Sequence, residues 1–213
     1  MTSSTETTMM PRKPLLNTRQ ISVAAVLGGL SLITEAFGLS LPGYLPGVNF
    51  NLVGAYLSIA TMAAGPLGGI IVTILDSFTS SVGFYGLPFY WPHVFFLALF
   101  YKRIYSMKST AMKVVGYWVV TAVALFIQYW GWFFLYVYVF KFATTIWPLA
   151  VYNFVGVIPY ATFLAIYAFI PGFVLVTAPN FVRPTWNFPY LKWVTAASII
   201  LSAIAVASQA GLR

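Results

Sequence analysis

Long apolar runs, separated by short polar or turn-rich stretches, leave this chain few folds to choose from. The runs cover residues 21–39, 50–64, 67–82, 89–101, 114–140, 146–170 and 191–207. About 20 consecutive apolar residues cross the hydrocarbon core of a bilayer as a helix. These runs are apolar all round rather than striped, so lipid or protein must surround them. They are continuous rather than alternating, and too long for barrel strands, which favours helices. Only 7% of the residues are charged and 61% are hydrophobic, against about 25% charged in a soluble domain. Too little polar surface exists to cover a water-facing globule. The expected class is all-α: a polytopic transmembrane helix bundle in the cell membrane.

Turn residues divide the runs. Pro42-Gly43 and Pro46-Gly47 mark a loop after the first run, Gly65-Pro66 a near-loopless joint between the second and third, and Gly86-Leu87-Pro88 a turn before the fourth. The expected organisation is a cytoplasmic polar tail over 1–20, a six-helix membrane core over 21–172, an inner connection over 173–190 and an extra transmembrane helix over 191–213. The tail has no apolar h-region and does not read as a signal peptide. Cations orient the whole. With the N-terminus inside, Arg12, Lys13, Arg19, Lys102, Arg103, Lys108, Lys113, Arg183 and Lys192 fall on the inner side, and Lys141 and Arg213 on the outer. That split follows the positive-inside rule. It also gives the net charge of +8 a topological meaning, so no nucleic-acid partner is expected.

Polar side chains inside the runs are the candidate chemistry. A carboxylate at the bilayer centre costs about 2.5–3.5 kcal/mol on insertion scales and usually faces a bundle interior or cavity. Glu35 lies about 21 Å along the first helix and Asp76 about 14 Å along the third, at 1.5 Å per residue. His93 sits near the outer start of the fourth run, Gln128 in the outer half of the fifth and Asn153 in the outer third of the sixth. Asn51 stands at the outer opening of the second, and Trp130 and Trp132 share the same level. Together they suit a pocket open to the exterior. Blander roles stay open: hydration of Glu35 near the headgroups, interhelical hydrogen bonds for Gln128 and Asn153, and an ordinary aromatic belt for the tryptophans.

Motifs for catalysis are missing: there is no Gly-x-Ser-x-Gly, Walker loop or His-Glu-x-x-His. One histidine and two membrane acids are too few for a multi-histidine metal site, and the chain has no cysteine. No metal, cofactor or enzymatic activity is expected. A lipid-modifying enzyme and an assembly subunit without a ligand remain as alternatives.

Small residues add a second signal. Ala24 and Gly28 are four apart, as are Ala25 and Gly29, a spacing that lets another helix approach closely. This first helix, the Pro/Gly-rich loop over 41–48, the segment Ala64-Gly65-Pro66-Leu67-Gly68-Gly69-Ile70-Ile71-Val72, the basic loop after the fourth run and Asn153-Phe154-Val155-Gly156-Val157-Ile158-Pro159-Tyr160 together resemble the substrate-binding S component of energy-coupling factor (ECF) transporters. The resemblance covers roughly residues 15–172. The seventh run departs from the family's six-span core. The resemblance implies a vitamin-like ligand bound from outside beneath the loop between the first two helices. It also implies docking through Ala24, Ala25, Gly28 and Gly29 on a transmembrane coupling subunit driven by ABC ATPase subunits. The carboxylates, His93 and the tryptophans would suit a cationic aromatic ring, such as thiamine or a related pyrimidine.

Overall fold

The first helix, α1 (Thr18–Ala36), begins where the sequence supplies its own cap. Asn17 accepts through its side chain from the Gln20 backbone N–H at 2.9 Å, and the Gln20 side chain accepts from the Asn17 N–H at 2.8 Å. This box satisfies donors that a helix N-terminus leaves open. The computed structural model describes residues 16–42, 49–80, 83–134, 141 and 165–210; the side chains of 40–42, 49–50, 129–134, 165, 205–206 and 208–210 lie outside that description. After α1 come two short antiparallel strands, β1 (Ser40–Pro42) and β2 (Asn49–Asn51), with Ser40 opposite Asn51 and Pro42 opposite Asn49. The remaining α-helices are α2 (Val53–Ala64), α3 (Pro66–Asp76), α4 (Leu87–Tyr105), α5 (Thr110–Phe134), α6 (Ile170–Thr177) and α7 (Leu191–Ala210). A 3-10 turn, Gly83–Gly86, leads into α4, and a π-turn, Ala165–Phe169, into α6. This is the all-α class expected from the runs, with a small β-ribbon added.

Helix α2 occupies the middle, buried along most of its length and packed against α1, α3, α4 and α6. Its joint with α3 is a single residue. Gly65 has φ +81°, a conformation that disfavours a Cβ, and Pro66 opens α3 at a position where its missing N–H is harmless. Beyond the joint, close packing depends on glycine. A Cβ on Gly68 would come within 2.5 Å of the Ala64 Cβ, and one on Gly69 within 2.3 Å of the Thr61 hydroxyl. Helix α7 packs on α4 and α5 through the buried Thr195, Ser198 and Ser202.

Apolar side chains form the core, but polar ones are buried among them and many large apolar ones are exposed. Ser58, Thr61, Thr73, Asp76, His93, Thr121 and Gln128 are buried, while Val26 and Phe37 on α1, Trp118 and Phe126 on α5, Phe173 on α6 and Leu201 on α7 are exposed.

Helix boundaries correct the sequence reading in several places. The third run ends as helix at Asp76 rather than continuing to 82. The Ser77 hydroxyl donates to the Thr73 carbonyl at 2.8 Å and the Thr79 hydroxyl to the Asp76 carbonyl at 3.3 Å. Such local bonds compete with helix continuation. The expected core boundary at 172 falls inside α6, because Pro171 stands in that helix's first turn and does not break it. The second run opens as strand β2, so α2 starts only at Val53. Among the described residues, one helix, over Thr110–Gln128, is long and apolar enough to cross a membrane, with mean hydropathy 1.8. Val53–Ala64, Pro66–Asp76, Ile166–Thr177 and Leu191–Ile204 are apolar but shorter. The break at Gly65 shortens two of them, and α1 and α4 carry Arg19, Glu35, Lys102 and Arg103 within their length.

Candidate functional site

Two ends of the bundle can be told apart. One is basic: there α1 begins, α2 meets α3, α4 ends and α5 starts. The other carries the β-ribbon, the end of α3 and the start of α4. The polar residues singled out by sequence fall toward the ribbon end.

Asp76, the last residue of α3, is fully buried. One carboxylate oxygen, Oδ1, accepts from the Ser31 hydroxyl of α1 at 2.7 Å. The other, Oδ2, is buried without a hydrogen-bond partner. Glu35 lies one turn beyond Ser31 on α1, half-buried and close enough to Asp76 for their charges to interact. Burying a carboxylate oxygen unpaired is costly, so its retention calls for an explanation.

His93 of α4 is likewise fully buried. Its Nε2 pairs with the Ser58 hydroxyl of α2 at 3.1 Å, and its Nδ1 has no partner. The ring stands edge-on to Tyr167, with centroids 5.2 Å apart. Gln128 of α5 is buried, lies within hydrogen-bonding range of Tyr167, and keeps an unpartnered Oε1. Asp76 also interacts electrostatically with Tyr167. Tyr167 therefore meets side chains of α4 and α5, with the Asp76 carboxylate of α3 in electrostatic range. It can sit there because α2 has no side chain at residue 54: a Cβ on Gly54 would come within 2.1 Å of the Tyr167 ring.

Three of the expected residues, Asp76, His93 and Gln128, are thus brought together around Tyr167, with Glu35 beside Asp76. Asn51 is half-buried on the ribbon. Trp130 and Trp132 lie on the final turns of α5, and their side chains are outside the described residues, as is the whole of Asn153. Tyr167, Ser31 and Ser58 are members that sequence reasoning missed. Gly54, a glycine on an otherwise buried helix, was the one available hint of Tyr167. Chemically, the group offers a carboxylate oxygen and an amide oxygen as acceptors and a ring nitrogen of either role. That set matches a ligand rich in N–H donors. Among the described residues, no group of three His, Cys, Asp or Glu side chains could hold a metal ion.

The small residues of α1 separate into two faces. Ala24 and Gly28 are buried, and a Cβ on Gly28 would come within 2.5 Å of Leu75 on α3. This face packs inside the chain, against α3. Ala25 is exposed, and nothing lies within 4 Å of a Cβ built on Gly29.

Compared with family models, with characterised proteins and with solved structures, the chain gives no match.

Proposed function

We propose that this chain is a multi-pass membrane protein with a cytoplasmic N-terminus that binds a small organic, N–H-rich ligand from outside, as the substrate-binding subunit of an ECF-type uptake transporter. The many exposed large apolar side chains support the bilayer. Helices α2 and α3 reach full depth in it only with the ribbon and the 77–80 turn that extend them. The cation asymmetry supports the orientation, which puts the ribbon end outside. There the ribbon stands where the resembled family covers its ligand, and Ala25 with Gly29 offers a small, open helix face for a coupling subunit.

One observation carries the reading. Asp76 Oδ2, His93 Nδ1 and Gln128 Oε1, from three different helices, are all buried without partners near Tyr167. A bound ligand with N–H donors and a positive charge satisfies all three. The test is tryptophan-fluorescence titration of the purified chain with a vitamin panel that includes thiamine, alongside mass spectrometry of any co-purified small molecule. Saturable binding that Asp76→Asn or His93→Ala weakens supports the reading. Absence of any bound or titratable ligand overturns it. Orientation is tested separately: a cysteine at Lys108, the sole one in a cysteine-free chain, should react with an impermeant reagent only after the membrane is opened.

A further inference from the structure

We propose that the connection over 178–190 builds, with the ends of α1, α4 and α5, a cradle for the phosphate of anionic phospholipid headgroups. The proposal rests on the bilayer reading above.

This connection is folded down as a strap. Val182 and Trp186 are buried beneath it. The Tyr101 hydroxyl donates to the Val182 carbonyl at 2.8 Å, the Tyr105 hydroxyl to the Pro179 carbonyl at 3.2 Å, and the Trp186 indole N–H to the Met62 carbonyl at 3.1 Å. The strap also gathers cations from separate helices. Arg19 reaches the Asn180 and Phe181 carbonyls through one guanidinium nitrogen, at 3.1 and 2.8 Å. Lys102 stands 4.7 Å over the Trp186 ring, and Lys113 5.1 Å over the Tyr105 ring. Arg183 on the strap and Arg103 beside Lys102 are exposed.

These contacts hold the cations in place without neutralising them. Carbonyls and ring faces leave guanidinium and ammonium donors over for an anion. The chain cannot supply that anion from its described residues. Its three acidic residues are Glu6, Glu35 and Asp76; Glu6 is outside the described residues, and the other two lie toward the ribbon end. Counter-charge must come from another molecule. Exposed aromatics choose which kind. Tyr190 is 66% and Trp193 78% exposed, at the start of α7 beside Lys192. Such rings favour the boundary between headgroups and acyl chains, and a lipid presents phosphate and that boundary together, whereas an acidic protein surface does not.

The experiment uses the full chain in nanodiscs of mixed phosphatidylglycerol and phosphatidylcholine, with retained lipids counted by native mass spectrometry after release. Phosphatidylglycerol should be retained at least about tenfold over phosphatidylcholine. Arg103→Gln with Arg183→Gln should cut it by about fivefold per cation, roughly 25-fold together, which abolishes a preference of about tenfold. Neither side chain is packed in the core, so folding is preserved; the ligand titration above serves as the control. Equal retention of the two lipids, or a double variant that retains phosphatidylglycerol like the parent, overturns the proposal. So does displacement of the lipid by about 10 mM inorganic phosphate, a concentration that fills any free-anion site of millimolar or tighter Kd, which would make this a free-anion site. A chain that washes off membranes in alkaline carbonate sinks the bilayer reading and this proposal together; one that stays but shows no lipid preference sinks this proposal alone.

Discussion

At the basic end of the bundle, the buried Tyr101, Trp186 and Gln20 side chains all find hydrogen-bond partners. At the ribbon end, Asp76, His93 and Gln128 each keep an unpartnered atom. Tyr101 and Gln20 at one end are as buried as Asp76 and His93 at the other, so burial does not explain the contrast. Hydrogen bonding closes one end as structure, whereas under the proposed function a ligand completes the other. Substitutions should therefore separate cleanly. Changes at the ribbon end should cost binding and spare stability, and changes at the basic end should do the reverse.

Asp76→Asn should have the largest effect. The replacement keeps shape and the Ser31 contact but removes the charge that would pair with a cationic ligand. Losing one partner of a desolvated charge pair costs about 2–5 kcal/mol, which is about 30-fold or more in affinity. Fluorescence titration reads the loss, and thermal unfolding in detergent should show no loss of stability, because a buried half-paired carboxylate has been removed. Glu35→Gln should weaken binding less, since Glu35 is half-buried and more easily screened. A strongly destabilised Asp76→Asn protein would break the contrast, by making that carboxylate structural.

At the other end, Gly65→Ala should lower stability by about 3 kcal/mol. Its positive φ costs an L-residue about 1–2 kcal/mol, and its Cβ would come within 2.6 Å of the Trp186 ring, so overpacking adds to that. Ligand affinity of the fraction that folds should be unchanged. Gly28→Leu and Gly29→Leu sharpen the comparison within one helix. The first should destabilise by about 1–3 kcal/mol through Leu75. The second should leave unfolding unchanged and abolish co-purification with an energising module. Equal behaviour of the two would mean that α1 has no distinct docking face.

Much of this was legible in the sequence because it depends on local chemistry. Continuous apolar runs gave the helices, Gly65-Pro66 the joint, and isolated polar residues in those runs, Asp76, His93 and Gln128, the heart of the site. What escaped depends on tertiary neighbours. Tyr167 is one aromatic among many, and only the missing side chain of Gly54 makes room for it. Ser31 and Ser58 read as ordinary helix hydroxyls until a carboxylate and an imidazole are found facing them. The strap read as a plain connection, since nothing local marks Trp186 as the donor to an end carbonyl of α2. The small-residue spacing on α1 was visible, but which of its two faces packs internally is decided by Leu75, far away in sequence.

The smallest effect tests how a proline is carried in the middle of the bundle. Pro171 carries no N–H, and the Tyr117 hydroxyl of α5 donates to the carbonyl of Tyr167, in the π-turn just before it, at 2.9 Å. Around a proline in an apolar interior, neighbouring helices help to satisfy backbone carbonyls, and Tyr117 supplies such a donor. Tyr117→Phe should therefore cost about 1 kcal/mol of stability, the usual net worth of one such bond. Pro171→Ala returns a backbone donor to this turn, so the double variant should lose less than the sum of the two single changes. The coupling, measured by thermal or denaturant unfolding of all four proteins, should be about 0.5–1 kcal/mol. Since the Tyr167 ring also meets His93 and Gln128, the Tyr117→Phe protein should bind ligand up to a few-fold more weakly, the one case where a packing change reaches the site. Strict additivity of the two substitutions would mean that the Tyr117 bond does not compensate for the proline, and that the backbone of α6 is satisfied without help from α5.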